Sequence, residues 1–124
     1  MATPKRRVLC VDDDLDTCEF VGLLFSRRGY DVTTATTPRE ALRLLEGGGF
    51  DLLILDFRYE RMSGVELCRE LRNVSSRPFL IATSQTATAA EIAAMAGAAD
   101  DYLIKPYVIE ALIIRIIKHL QSRV

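Results

Sequence analysis

Four short, continuous apolar runs constrain the fold of this chain more than any other feature. Apolar residues that do not alternate with polar ones are typical of strands covered on both faces, which is a property of parallel sheets. A fifth segment, Asp31–Ala35, is more polar and predicts an edge strand. The four runs are Val8–Val11, Leu52–Leu55, Phe79–Ala82 and Tyr102–Ile104.

Amphipathic segments that begin with a recurring capping pattern separate these runs. In each, a side-chain acceptor stands three residues before a Glu, the arrangement that satisfies two backbone N–H groups at a helix start. Pro38 strengthens the second case, because proline suits the first helical position. The alternation of strand and helix, repeated five times, predicts a three-layer α/β fold. The predicted capping residues are Asp16, Thr37, Ser63 and Thr88.

The last segment carries an apolar stripe at helical spacing, which is typical of a core-facing helix. Val108 and Ile114 lie off that stripe and are candidates for an exposed contact surface. The run Gly47-Gly48-Gly49 follows a predicted helix and precedes a strand, so it predicts a helix end and a turn.

Composition limits the classes of function. The chain has 124 residues, enough for one domain, with 49% hydrophobic and 27% charged residues, as in soluble globular proteins. Its net charge of −1 predicts neither nucleic-acid nor membrane binding, and no run approaches the roughly 20 apolar residues of a membrane span. Cys10, Cys18 and Cys68 have no metal-ligand spacing, so we expect buried free thiols in a cytoplasmic protein.

Polar residues follow the strands at the points where they end. Asp12 and Asp13 follow the first strand, Asp56 the third, Thr83 the fourth and Lys105 the fifth. Ligands of open parallel sheets bind at these carboxyl ends. Clustered carboxylates need a counter-charge that Mg²⁺ supplies, and the hydroxyl and ammonium groups can neutralise an incoming phosphoryl group. This edge therefore predicts a phosphoryl site with Asp56 as nucleophile.

From Val8 to Leu120 the chain resembles a response-regulator receiver domain of two-component signalling. The matching motifs are V-L-C-V-D-D-D at 8–14, D-L-L-I-L-D at 51–56, M-S-G at 62–64, T-S at 83–84 and D-D-Y-L-I-K-P at 100–106. The resemblance implies a doubly wound, flavodoxin-like domain with a five-stranded parallel sheet of order 2-1-3-4-5 and five helices. It implies one receiver domain over residues 1–124, with a core of about 6–122 and no effector domain.

The resemblance also implies a division of roles among the acids. Asp56 would be the phosphoacceptor. Asp13 and Asp56 would bind Mg²⁺ directly, with the backbone carbonyl of Arg58, and Asp12 would act mostly through a metal-bound water. Mn²⁺ could substitute for Mg²⁺. Asp14 has no such role in this assignment and is expected to be solvent-exposed.

The remaining site residues would bind the phosphoryl group or report its presence. Lys105 would pair with the phosphoryl oxygens. The peptide bond between Lys105 and Pro106 would be cis. Thr83 and Tyr102 would form the switch. Arg58 and Gln85, two residues past Asp56 and Thr83, border the path of the attacking water, and we expect Arg58 to slow hydrolysis of the aspartyl phosphate.

Two positions depart from the family pattern. Glu60 stands where the family usually has a proline, so the loop after the third strand loses a rigid turn. The glycine usual before the fifth strand comes one position early, at Gly97, with Ala98 in its place. The sequence therefore does not fix the residue at which the fourth helix ends.

The function implied is a signalling switch rather than an enzyme with an external substrate. A histidine kinase or histidine phosphotransfer protein would phosphorylate Asp56, and a downstream protein would respond to a changed surface on the fourth helix, fifth strand and last helix. A haloacid-dehalogenase-type phosphatase is disfavoured because Arg58 occupies the position of its general acid. A scaffold without phosphorylation is disfavoured because the acids and Lys105 are all present.

The output of the switch stays open. The chain is either free-standing, a phosphate-relay shuttle, or the receiver part of a longer transcriptional regulator or hybrid kinase. Its C-terminal segment is similar to receivers joined to winged-helix DNA-binding domains, in which Asp101 and Arg115 pair across a dimer. A phosphorylation-dependent homodimer is thus one option, without direct nucleic-acid binding by this segment.

Overall fold

A computed structural model of the chain describes residues 6–56, 64–75, 78–84, 99–104 and 114–118. At 56, 64–65, 79, 82–84 and 102–104 it describes the backbone only. The predicted capping residues Ser63 and Thr88, and the predicted contact residue Val108, lie outside the described residues.

Five parallel strands form one sheet of order β2-β1-β3-β4-β5. This is the order that the family resemblance implied, and the more polar second strand lies at an edge, as predicted. Three helices and a helical segment at 114–118 are described, so the number of five helices stays a prediction. The strands are β1 Arg7–Val11, β2 Asp31–Ala35, β3 Leu52–Asp56, β4 Phe79–Ser84 and β5 Asp101–Ile104.

Side chains of the central strands alternate between two hydrophobic clusters. On β1, Leu9 and Val11 belong to one cluster, whereas Val8 and Cys10 belong to the other. The same alternation holds along β3. Because both faces of the sheet are covered, the side chains on neither face of a central strand meet solvent, and neither set needs to be polar. This explains the continuous apolar runs.

The helices supply the other half of each cluster. Helix α1 (Leu15–Arg27) buries Val21 and Phe25 against one face of the sheet. Helices α2 (Pro38–Glu46) and α3 (Gly64–Val74) pack on the other face. The described part of the chain thus has the three-layer arrangement that the sequence predicted.

The start of α2 confirms the capping prediction. Thr37 is the N-cap, its hydroxyl accepts the backbone N–H of Glu40 at 3.2 Å, and Pro38 is the first helical residue. The predicted turn after α2 is also present, since Gly47 caps the helix and Gly48 and Gly49 have positive φ.

The predicted start of α1 at Asp16 is wrong. The N-cap is Asp14, whose Oδ1 accepts the backbone N–H of Asp16 at 3.0 Å and whose Oδ2 accepts the hydroxyl of Thr17 at 3.0 Å. The helix begins almost as soon as the chain leaves β1, so Asp14 rather than Asp16 meets the first helical N–H groups. Asp16 lies in the first turn, where its charge favours the helix dipole.

The three cysteines are buried thiols that form no disulfide, as predicted. Burial raises the pKa of Cys68 to about 12, partly offset by the positive charge of Arg72. In the C-terminal helical segment Ile116 is buried, whereas Ile114 is 65% exposed, which confirms the expectation for Ile114. Among the described residues no helix is long and apolar enough to cross a membrane.

Candidate functional site

Parallel register brings the strand ends with polar residues to one edge of the sheet. Val11 on β1 pairs with Leu55 on β3, so the next residues, Asp12 and Asp56, leave the two strands side by side. Asp56 in turn pairs with Thr83 on β4. Neighbouring strands lie about 4.8 Å apart, so two aspartates and a threonine occupy adjacent positions at this edge.

The fifth strand extends the same row. Ser84 on β4 pairs with Ile104 on β5, and Lys105 is the next residue along the chain. Lys105 itself, Arg58 and Gln85 lie outside the described residues. The backbones of Asp56, Thr83 and Tyr102 are described but their side chains are not, so the roles assigned to these six residues stay predictions.

Among the described side chains, Asp12 is the charged residue that is buried, with 4% of its surface exposed. Its Oδ1 accepts the backbone N–H of Asp14 at 2.9 Å, and its own backbone N–H donates to the carbonyl of Ala35 at 3.1 Å. A buried carboxylate is costly unless hydrogen bonds or a cation compensate it. The burial of Asp12 at a strand end is therefore better suited to a site for positive charge than to a solvated loop.

Asp13 is exposed, directly beside the buried Asp12. A hard divalent cation such as Mg²⁺ prefers carboxylate oxygens and keeps several waters. One buried and one accessible carboxylate, with Asp56 on the adjacent strand, match that donor chemistry. Among the described side chains no three potential ligands cluster, and the side chain of Asp56 is not one of those described.

Two successive turns made by aspartates convert the end of β1 into the start of α1. Asp14 donates its N–H to Asp12, and Asp16 donates its N–H to Asp14, each across two residues. This is the side-chain-to-backbone turn that aspartate favours. Sequence reasoning treated Asp14 as merely exposed. It is exposed, and it also caps the helix that follows the acids.

Cys18 is a second residue whose position sequence reasoning missed. It was predicted only as a buried thiol, yet its Sγ lies 3.4 Å from the backbone carbonyl oxygen of Asp12. The hydrogen bond with the Cys10 side chain lowers the pKa of the Cys18 thiol, and burial and the negative charge of Asp12 oppose that shift. The spacing of Cys18 from Asp12, within the first turns of α1, was the available signal.

Residues 8–117 match the family model of the response regulator receiver domain. The chain belongs to this family. The match covers β1 from Val8 onward, the other four strands and the acids between them. The predicted family and the implied function, that of a receiver domain of two-component response regulators, are therefore confirmed.

Known relatives agree with this assignment. The response regulator MprA of Mycolicibacterium vanbaalenii is 37% identical over 110 residues, which are 88% of this chain and 48% of that protein. The chain spans about half the length of the curated relatives it matches.

Solved receiver structures share the fold. A CheY-like receiver domain from Methanospirillum hungatei has a TM-score of 0.91 at 26% identity, covering 96% of both chains. A Burkholderia pseudomallei response regulator, solved with a phosphorylated aspartic acid, a calcium ion and citrate, has a TM-score of 0.80 at 26% identity and covers 88% of this chain and 65% of that one. The predicted flavodoxin-like α/β fold is thereby confirmed.

Proposed function

We propose that this chain is a phosphorylation-dependent switch in which Asp56 accepts a phosphoryl group from a histidine kinase or a histidine phosphotransfer protein. The observation that carries the proposal is the register that sets Asp56 between the end of β1, with its buried Asp12, and Thr83 on β4. The phosphorylated aspartic acid of the Burkholderia relative supports the same chemistry here.

The acids at this edge would hold the metal ion. Asp13 and Asp56 would be direct ligands with the backbone carbonyl of Arg58, and Asp12 would act through a bound water. Bound Mg²⁺, or Mn²⁺ in its place, would neutralise the negative charge that the carboxylates and the incoming phosphoryl group bring together. The calcium ion in the Burkholderia relative supports a divalent cation in this family.

The chain's own contribution to the transfer is a nucleophile and a set of positioned charges. An Asp56 carboxylate oxygen would attack the phosphorus of a phosphohistidine while the phosphorus–nitrogen bond breaks, so the histidine of the donor leaves with the electron pair and takes a proton. Lys105 and the Thr83 hydroxyl would bind phosphoryl oxygens. The chain would catalyse only this transfer and the later hydrolysis, and no reaction of an external substrate.

The signal would leave through the surface around β5. Thr83 would move toward the phosphoryl group and Tyr102 would turn inward, so the fourth helix, β5 and the last helix would present a different surface. Phosphorylation can shift this equilibrium only by its differential interaction with the two states, and a shift from 1:99 to 99:1 needs about 5.5 kcal/mol. Ile114, which is 65% exposed in the helical segment 114–118, would be a contact residue of this surface.

Dimerisation through that surface would require an exchange of partners. Arg115 Nη1 lies 3.3 Å from Asp101 Oδ1 within the same chain. Both groups are partly exposed, and ion pairs of this kind contribute about 0–1 kcal/mol. Replacing this pair by the same pair between two chains would therefore cost little. A sizing measurement before and after phosphorylation distinguishes a homodimer from a monomer that binds a different downstream protein.

The place of this domain in a longer protein is a further part of the proposal. MprA is about twice as long as the matched segment, which supports a receiver that belongs to a longer response regulator. A transcriptional regulator is one such protein. A hybrid kinase is the alternative. With a net charge of −1, this segment would not bind nucleic acid itself. The switch would act in the cytoplasm.

Arg58 and Gln85 would set the lifetime of the phosphorylated state. A long cationic side chain two residues past Asp56 would cover the phosphoryl group and obstruct the attacking water. We expect Arg58→Ala to lose its phosphoryl group about threefold to tenfold faster than wild type, with exposed Arg69→Ala on α3 unchanged. Equal or slower loss in Arg58→Ala would refute this assignment.

The proposed function is tested by incubating the chain with a small acyl phosphate and Mg²⁺ and measuring its intact mass. Wild type should gain one phosphoryl group, Asp56→Asn should gain none, and removal of the metal with EDTA should suppress uptake. Asp31→Asn, which alters an exposed acid at the opposite end of the sheet, is the matched control. Uptake that persists in Asp56→Asn would contradict the proposal.

A further inference from the structure

Cys18 connects helix α1 to the end of β1 that carries the acids. It is fully buried, and its Sγ faces three backbone carbonyl oxygens. The nearest is that of Asp12 at 3.4 Å, and those of Cys10 and Ala35 lie at 3.9 Å. A thiol donates one hydrogen, so the Asp12 carbonyl is the best-placed acceptor.

The Asp12 carbonyl belongs to the peptide bond that joins Asp12 to Asp13. Asp12 is also held by its N–H, which donates to Ala35, and by its Oδ1, which accepts the N–H of Asp14. Cys18 adds a contact from the helix side. The orientation of this peptide determines where the carboxylates on either side of it project, one buried and one exposed.

We propose that Cys18 is a positioning residue for the acid pair, and that its thiol holds the Asp12–Asp13 peptide in the orientation needed for divalent-cation binding. This inference rests on the proposed function, because it assumes that these two acids bind the metal. Cys18 would touch neither the metal nor the phosphoryl group.

The size and the weak donor of the cysteine side chain both suit this position. Alanine would remove the sulfur and leave the Asp12 carbonyl without this contact. Valine would fill similar space with a group that cannot donate. Serine keeps a donor on a shorter side chain, so it should preserve most of the effect. The contributions of packing and of the hydrogen bond can therefore be separated by substitution.

The experiment measures Mn²⁺ affinity by calorimetric titration, and Mg²⁺-dependent phosphorylation by a small acyl phosphate, in Cys18→Ala, Cys18→Val and Cys18→Ser. Outer contacts of metal ligands are commonly worth tenfold or more in affinity. We expect the alanine and valine variants to bind Mn²⁺ about tenfold more weakly and the serine variant to stay within about threefold of wild type. At saturating Mg²⁺ all three should approach the wild-type phosphorylation rate.

Cys68→Ala is the matched control, because Cys68 is equally buried but packs on α3 in the other hydrophobic cluster. It should lose stability without a change in Mn²⁺ affinity. Should Cys18→Ala fail to fold, the comparison of serine with valine decides, since only serine donates.

Two failures are distinguishable. Folded alanine and valine variants with wild-type Mn²⁺ affinity would overturn the role of Cys18 and leave the proposed function intact. Wild type that neither binds Mn²⁺ nor takes up a phosphoryl group would overturn the proposed function, and this inference with it.

Discussion

Arg7 lies at the end of the sheet opposite the acids and contacts the segment that precedes β3. Its Nη1 donates to the carbonyl of Gly48 at 2.9 Å, and its guanidinium lies 4.4 Å from the centre of the Phe50 ring. Its backbone N–H donates to Asp51 Oδ2 at 2.9 Å. One residue of β1 therefore holds the turn that leads into β3, which helps to set the register on which the opposite edge depends.

Gly49 should accept a side chain less readily than Gly48 because of this arrangement. Its φ is +87°, and an added Cβ would lie 2.6 Å from Arg7 Nη1. Gly48 has a φ of +77° with no atom within 4 Å of an added Cβ, so Gly48→Ala is the matched control. Each substitution should cost about 1–2 kcal/mol for the left-handed backbone.

Gly49→Ala should cost about 1 kcal/mol more than Gly48→Ala, because Arg7 must leave its carbonyl and ring contacts. Urea unfolding of the two variants measures the difference. Equal losses of unfolding free energy would mean that the Arg7 contacts contribute nothing to stability.

At the scale of elements, a second arginine connects α3 to the two strands that carry Thr83 and Tyr102. Arg72 donates to the carbonyl of Pro78 and to Asp100 Oδ2. The same carboxylate oxygen accepts the backbone N–H of Leu80 at 2.8 Å, and the Asp100 N–H donates to the Leu80 carbonyl at 2.8 Å. The starts of β4 and β5 are thus held together by one carboxylate.

This network should contribute more than the Arg115–Asp101 pair on the surface. The Arg72 and Asp100 side chains are 17% and 32% exposed, against 47% and 22% for Arg115 and Asp101. Asp100→Ala should cost about 1–3 kcal/mol, because it removes the acceptor of both a backbone N–H and a guanidinium.

The neighbouring substitution Asp101→Ala is the control and should cost no more than about 1 kcal/mol. Double-mutant cycles with Arg72→Ala and Arg115→Ala, followed by urea unfolding, measure the two coupling energies. A larger coupling for the Arg115–Asp101 pair would contradict this ranking.

The elements that could be predicted from sequence are those whose signals are local. The start of α2 depends on Thr37, Pro38 and Glu40, which are consecutive or nearly so. The predicted start of α1 was wrong because several aspartates close together can each cap a helix. The choice of Asp14 depends on where β1 ends, and that is set by pairing with β2 and β3, distant in sequence.

Contacts between distant residues could not be predicted in the same way. The bond between Arg72 and Asp100 joins residues 28 apart. The thiol of Cys18 reaches a carbonyl rather than a side chain, and no sequence pattern marks a carbonyl as an acceptor.

At the scale of the whole molecule, the two ends of the sheet have different tasks. The amino ends of β1, β2 and β3 carry the contacts of Arg7, which stabilise the turn before β3. The carboxyl ends carry Asp12, Asp56 and Thr83 in adjacent positions. The location of the site was predictable because every strand of a parallel sheet ends at the same edge, so a polar residue after each apolar run implies a cluster.

The central claim is that acids from β1 and β3 share one divalent cation. It is tested most directly by adding a small fraction of paramagnetic Mn²⁺ to isotope-labelled protein and measuring the broadening of amide NMR signals. Amides of Asp12, Asp13, Asp56 and Thr83 should broaden first, while that of Gly49, a strand length or about 15 Å away, should stay sharp. Broadening centred on the Gly49 end of the sheet, or none near Asp12 and Asp56, would contradict the account.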